Sequence, residues 1–167
     1  MNIILCGFMG SGKTTVANIL SRLINKKVTD IDKYIEKNEN RTISEIFLSD
    51  GEVYFRTLET KAVSEISQMD NLIIATGGGI ILNSQNTEML KQNGKIVFID
   101  VTVETILNHL RLDTIRPLLQ SEDKEKAVTE LLNSRLPFYK ASADIIIDGN
   151  GKVTDIAKKI IFELEIL

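Results

Sequence analysis

One cysteine in 167 residues, Cys6, leaves no partner for an intramolecular disulfide and too few thiols for a multi-cysteine zinc site. A reducing cytoplasm is the compartment that such sparing cysteine use suggests. Charge of neither sign dominates, with 20 Lys+Arg against 23 Asp+Glu and a net −3. That balance weighs against a general binder of nucleic acid or anionic membrane, while leaving room for a local basic pocket. Long hydrophobic runs are missing too. The longest nearly apolar stretch, Leu72 to Leu82, is broken by Thr76 and three glycines, far short of the ~20 residues a membrane helix needs. The apolar start, Met1–Cys6, lacks a basic n-region and runs into a glycine loop, so it reads as a strand and not a signal peptide. There are no repeats, low-complexity tracts or interdomain linker. With 43% apolar and 26% charged residues, the expectation is one complete, soluble, intracellular domain over 1–167 that needs no disulfide or metal staple to fold.

What is present alternates between strand-like and helix-like segments. Ile3-Ile4-Leu5-Cys6, Leu72-Ile73-Ile74-Ala75, Ile96-Val97-Phe98-Ile99 and Ile145-Ile146-Ile147 are short apolar runs of buried-strand type, and Lys27-Val28-Thr29 could be a fifth. Val16, Ile19, Leu20, Leu23 and Ile24 recur at helical spacing. Thr42-x-x-Glu45 has the form of a capping box and opens a helix near Ile43, which Gly51 interrupts and which resumes to about Ile66. Further helices are expected at about Val103 to Arg111, around Ala127 to Leu136, and at the end, where Ile156, Ile160, Ile161 and Leu164 share a face. The irregular polar stretch from about Leu112 to Lys126 is a candidate mobile loop. Such alternation argues for a parallel sheet covered on both sides.

Gly7-Phe8-Met9-Gly10-Ser11-Gly12-Lys13-Thr14 matches G-x-x-x-x-G-K-[ST], and it stands between a buried strand and an amphipathic helix, as the motif requires. Glycines let the backbone wrap a phosphate and aim several N–H groups and the positive end of a helix at it. Lys13 supplies a compact cation and Thr14 a hydroxyl for Mg²⁺, which prefers oxygen ligands. The reading is a nucleoside triphosphate site. A GTPase would also need an Asn-Lys-x-Asp segment; Asn25-Lys26-Lys27-Val28 lacks the aspartate. The chain is too short for the added domains of many motor and helicase ATPases, which leaves a small kinase.

The acceptor side is less direct. Asp30 and Asp32, two apart at the end of the second strand, would share one face in extended geometry. That face opens on the ligand crevice of a parallel sheet, so one carboxylate could serve the metal and the other an acceptor hydroxyl, unless both are solvated turn residues. Gly77-Gly78-Gly79 directly after a strand is either a tight turn or a place of close ligand approach. Arg56, Arg116 and Arg135 stand out by context, since arginine suits bidentate capture of carboxylate or phosphate. Taken singly, each could be an ordinary surface arginine.

Together these segments resemble the shikimate kinase family over nearly the whole chain. The likeness is carried by Gly7–Thr15, Thr29-Asp30-Ile31-Asp32, Ile46-Phe47 with Asp50-Gly51-Glu52, Phe55-Arg56-x-x-Glu59, Thr76 to Gly79, Arg116-Pro117-Leu118-Leu119 and Arg135-x-Pro137-x-Tyr139. The resemblance implies a three-layer α/β/α fold of the phosphate-loop kinase type, with a five-stranded parallel sheet in the order 2-3-1-4-5. It implies transfer of the ATP γ-phosphoryl group to the shikimate 3-hydroxyl, on the route to chorismate and the aromatic amino acids. ATP would lie on Gly10, Ser11, Gly12, Lys13, Thr14, Thr15 and Arg116. Shikimate would meet Asp32, Arg56, Gly78, Gly79 and Arg135. Lys13, Asp32 and Arg116 would be catalytic. Thr14 would hold Mg²⁺ directly, with Asp30 acting through a water.

The same likeness implies a mobile lid at about 112–126, an acceptor-binding helical region at about 31–62, and a cytoplasmic monomer with no nucleic-acid or membrane partner. Two departures fall on the adenine side. His109 stands where the family often has an arginine, with Arg111 two residues later, and the region Gly151–Val153 replaces a late proline. His109 could be a surface residue or an adenine contact; Cys6 reads as a buried strand residue. Rival readings are another small-acid kinase of the same fold, gluconate kinase-like above all, or a catalytically idle nucleotide-binding module.

Overall fold

Short runs of branched apolar residues become strands here because neighbouring parallel strands bury them on both faces. The computed structural model describes residues 1–111 and 123–166. Among these, β1 (Asn2–Cys6), β2 (Lys27–Asp30), β3 (Leu72–Ala75), β4 (Gly94–Asp100) and β5 (Ile145–Asp148) form one parallel sheet in the order β2-β3-β1-β4-β5, as expected. Every residue of β1 and β3 is buried, and each isoleucine so placed contributes roughly 1.5–3 kcal/mol. Register is pinned at the strand starts by polar side chains. Asn2 gives Nδ2 to the Met69 carbonyl at 2.8 Å and takes the Leu72 amide at 2.9 Å, and Asp144 takes the Ile96 amide at 2.8 Å.

The connecting helices are α1 (Lys13–Ile24), α2 (Ile31–Glu39), α3 (Ile43–Ile66), α4 (Ser84–Gln92), α5 (Val103–Leu110), α6 (Lys124–Ser142) and α7 (Val153–Glu163), with a 3-10 turn at Ile80–Leu82. Right-handed crossovers decide their sides. The chain leaves β1 for the edge strand β2 through α1, then steps the other way through α3, α4 and α6. The two directions of travel put α1 on the opposite face from these three. Accordingly α1 packs with α7, while α4 and α6 lie against β4 and α3 against α4. The carboxyl ends of β2, β3 and β1 are thereby adjacent, and the loops that leave them meet at one edge.

Sequence expectations fail in three places. The helices α2 and α4 carry few apolar residues, with only Ile31 and Ile35 buried in α2, so periodicity did not announce them. The strand that contains Asp30 stops there, because Asp30 caps α2 with its side chain on the Lys33 amide. Asp32 therefore lies in a helical turn, and the expected common strand face of Asp30 and Asp32 does not exist. Finally, α6 was expected to end near Leu136 but runs through Pro137 to Ser142, and it begins at Lys124, inside the stretch read as irregular. Its buried face of Val128, Leu132, Arg135, Tyr139 and Ser142 keeps helical spacing across the proline, which removes only one backbone hydrogen bond.

Other expectations hold in detail. Thr42 and Glu45 form a reciprocal capping box, with the Glu45 amide on the Thr42 hydroxyl at 3.2 Å and the Thr42 amide on the Glu45 carboxylate at 2.7 Å. Gly51 kinks α3 with φ 82 and ψ 178. Among the described residues no helix is long and apolar enough to cross a membrane.

Candidate active site

The segment between β1 and α1 wraps a hollow. Gly10 and Gly12 adopt φ of 75 and 84, values that only glycine takes without strain. The first helical bond runs from Val16 N to Gly12 O at 2.9 Å. The amides of Lys13, Thr14 and Thr15 thus have no carbonyl partner within the helix and face the loop with the positive end of its dipole. Lys13 is buried, and its ammonium donates to the carbonyls of Gly7 at 2.9 Å and Phe8 at 2.8 Å and to the Ser11 hydroxyl at 3.3 Å. The loop thereby fixes its own cation against the backbone.

Beside it, the Thr14 hydroxyl donates to Asp30 Oδ2 at 3.0 Å while Oδ1 caps α2. Among the described residues no group of three or more His, Cys, Asp or Glu could hold a metal. One hydroxyl and one carboxylate at the mouth of a phosphate loop suit Mg²⁺, which keeps several waters and takes much of its coordination from substrate phosphates.

The glycine triplet leaves the end of β3, next to β1. None of the three has a positive φ, so conformation does not demand glycine; close neighbours stand over Gly77 and Gly79 instead. A Cβ on Gly77 would lie 2.9 Å from Asp32 Oδ1 and 3.2 Å from Glu59 Oε1. One on Gly78 would lie 3.4 Å from Arg135 Nη1 and 3.6 Å from the Tyr139 hydroxyl, and one on Gly79 only 2.7 Å from Arg56 Cζ. The triplet is the floor on which Asp32, Arg56 and Arg135 converge, brought there from α2, α3 and α6.

Each arginine is held from behind. Arg56 reaches Glu59 at 2.7 Å and Glu52 at 3.0 Å and stands 5.5 Å over the Phe55 ring, which itself packs on Phe47 at 4.7 Å. Arg135 is 7% exposed and lies 5.8 Å over the Phe8 ring. A cavity of about 270 Å³ opens beside Arg56, lined also by Glu59, Gly79, Leu82, Asn83 and Asn86.

Burial drives the Glu59 carboxyl up to about 7, and Arg56 draws it only part of the way back, with Asp32 adding to the rise. Burial works against the Arg56 cation, but Glu59 and Glu52 outweigh it and raise its pKa. Arg56 is thus a firmly held cation in a partly dry pocket, the setting in which a carboxylate is gripped most strongly.

Three contributors carry no role in the sequence reading. Glu59 and Tyr139 were legible only as motif letters, although Arg56–Glu59 and Arg135–Tyr139 have the spacing of side chains that meet on a helix. Phe8, inside the phosphate loop, had no signal at all. His109 stands on the surface with Nδ1 2.6 Å from the Gly10 carbonyl, so it touches the phosphate loop; Arg111 next to it is exposed. In the Gly151–Val153 region Gly151 has open space around it and Val153 begins α7. Cys6 is fully buried and its thiol is pushed up to about 12 by that burial, which makes it inert. Arg116, and residues 112–122 of the expected lid, lie outside the described residues.

A family model described as shikimate kinase matches residues 9–165. A shikimate kinase of Caldanaerobacter subterraneus subsp. tengcongensis is 43% identical over 161 residues, covering 96% of this chain and 94% of that one. Among solved structures, the Acinetobacter baumannii shikimate kinase in complex with shikimate superposes with a TM-score of 0.94 at 41% identity, covering 98% of this chain and 92% of its own. The Aquifex aeolicus shikimate kinase gives 0.84 at 36% identity, covering 99% and 96%.

Proposed function

The chain belongs to the shikimate kinase family, and on that premise we propose how its residues divide the work. The reaction is transfer of the γ-phosphoryl group of ATP to the shikimate 3-hydroxyl, giving shikimate 3-phosphate and ADP, a step towards chorismate and the aromatic amino acids. The oxygen–phosphorus bond to the γ-phosphorus forms as the bridging bond to ADP breaks, and the hydroxyl proton leaves the acceptor. Phosphoryl transfer passes through a loose transition state, so positioning and charge neutralisation supply most of the acceleration.

Gly10, Ser11, Gly12, Lys13, Thr14 and Thr15 cradle the phosphates, and Lys13 neutralises charge on the transferring group. Arg116, in the expected lid, would neutralise phosphate charge and help to exclude water that competes as acceptor. Thr14 and Asp30 would hold Mg²⁺, which when bound neutralises charge on the phosphate oxygens. On the acceptor side, within the helical region 31–62 and α6, Arg56 and Arg135 grip the shikimate carboxylate. Gly78 and Gly79 offer backbone groups, and Asp32 orients or deprotonates the attacking hydroxyl. The enzyme works as a single-domain monomer in the cytoplasm, with no nucleic-acid or membrane partner.

The observation that supports this most is the meeting of Arg56 and Arg135 over two consecutive glycines, Gly79 and Gly78, beside the phosphate loop. Two fixed guanidiniums for one small acid fit shikimate and leave a nucleoside monophosphate without its base-reading contacts. A coupled ADP-release assay tests it: turnover should require shikimate. Equal rates with gluconate or a nucleoside monophosphate would contradict the acceptor, and ATP binding without transfer to any acid would favour an idle module.

A further inference from the structure

Tyr139 has a role that its position in the motif does not announce. It is fully buried on α6 one turn beyond Arg135, with its ring stacked on Phe98 of β4 at 5.1 Å. Its hydroxyl donates to the Gly78 carbonyl at 2.6 Å, and a Cβ on Gly78 would lie 3.6 Å from that hydroxyl and 3.4 Å from Arg135 Nη1. Tyr139 and Arg135 thus meet over the same glycine, with the hydroxyl tied to the peptide that follows it. Burial pushes this phenol up to about 12, so it keeps its proton across the working range.

The peptide between Gly78 and Gly79 is planar and trans, as all described peptides are. Its carbonyl and the following N–H must point in opposite directions. Fixing the Gly78 carbonyl on α6 thus aims the Gly79 amide away from Tyr139. Glycine pairs are conformationally loose, and without such an anchor this peptide would sample several orientations.

We propose that the Tyr139 hydroxyl is a positioning group for the acceptor subsite, coupling Arg135 to the Gly78–Gly79 peptide so that guanidinium and amide meet the substrate carboxylate as one preorganised unit. The proposal rests on the shikimate reading above. It makes Tyr139 a determinant of acceptor affinity although it touches no substrate atom.

Tyr139→Phe removes the one oxygen and keeps the ring on Phe98. With both substrates varied in steady-state assays, it should raise the KM for shikimate about tenfold, the loss expected when a buried carbonyl loses its partner. The KM for ATP should stay within about twofold and kcat should fall by less than KM rises. A lower Tm with both KM values unchanged would mean packing alone and would overturn the proposal, as would an equal rise in both. Phe98→Leu approaches the same point from the other side, since it loosens the stack and spares the hydroxyl. It should lower Tm and leave the shikimate KM within about twofold; a rise matching that of Tyr139→Phe would assign the effect to the ring and also overturn the proposal. Failure of the wild-type protein to phosphorylate shikimate would fail the proposed function, whereas an active wild type with an indifferent Tyr139→Phe fails this inference alone.

Discussion

Residues 7–15 make the phosphate loop from one unbroken segment, whereas the acceptor pocket draws Asp32 from α2, Arg56 and Glu59 from α3, the glycines from the end of β3, and Arg135 and Tyr139 from α6. The loop builds its cation site largely from its own segment, with the Lys13 ammonium on the Gly7 and Phe8 carbonyls. The pocket exists only because the sheet order sets the ends of β2, β3 and β1 side by side. The glycines differ in the same sense. Gly10 and Gly12 are needed for their φ, while Gly77 and Gly79 lie directly under side chains from other elements, Asp32 and Glu59 over one and Arg56 over the other. A site made from one segment is a matter of backbone conformation, and a site made from four is a matter of packing.

Substitutions should separate the two halves. The largest effect is expected from Asp32→Asn, which should cut kcat by about 10²–10⁴ while titration with an ATP analogue shows unchanged nucleotide affinity. A parallel loss of nucleotide binding would merge the halves. Lys13→Ala comes next, lowering kcat by about 10²–10³ with little change in the KM for shikimate; a change mainly in that KM would contradict the division.

The pH dependence of stability belongs to the acceptor half. The buried Glu59 carboxyl sits at about 7, raised from 4.5. The native state therefore holds this proton longer than the unfolded chain, and stability is greatest below the unfolded value and declines as pH rises towards 7. The decline amounts to about 3 kcal/mol at most. Melting curves from pH 4.5 to 8 should show it in the wild type and a flatter profile in Glu59→Gln. Identical slopes would remove Glu59 as the cause.

Gly51→Ala should act least. A side chain there meets nothing within 4 Å, but φ 82 with ψ 178 is glycine territory. The strain of about 1–3 kcal/mol should lower Tm by about 2–4 °C per kcal/mol and weaken shikimate binding through the kink that aims Arg56. A shift in ATP affinity instead would break the comparison.

This contrast also explains what was legible beforehand. The phosphate loop, four strands, the Thr42–Glu45 box and the Gly51 interruption were open to reading because each is a local pattern of backbone demand or periodicity. The acceptor residues stand out singly by context, and their union in one site came from family likeness; no spacing rule brings residues 32, 56, 78 and 135 together before the crossovers are known. Where local rules were extended too far they failed. Asp30 and Asp32 are expected on one extended strand face, although Asp30 caps a helix, and the helix expected around Ala127 to Leu136 is too short, because the buried face of α6 carries it past Pro137. Glu59 and Tyr139 stayed without roles because their importance lies in contacts with Arg56 and Gly78 that only the assembled pocket creates.

The central claim, that two guanidiniums on adjoining glycines grip one carboxylate, is tested most directly by comparing shikimate with its methyl ester in the wild type and in Arg135→Ala. The wild type should favour the free acid in kcat/KM by about 100-fold, as befits charge-assisted hydrogen bonds, and Arg135→Ala should shrink that preference to about tenfold or less. A preference left intact by Arg135→Ala would contradict the account.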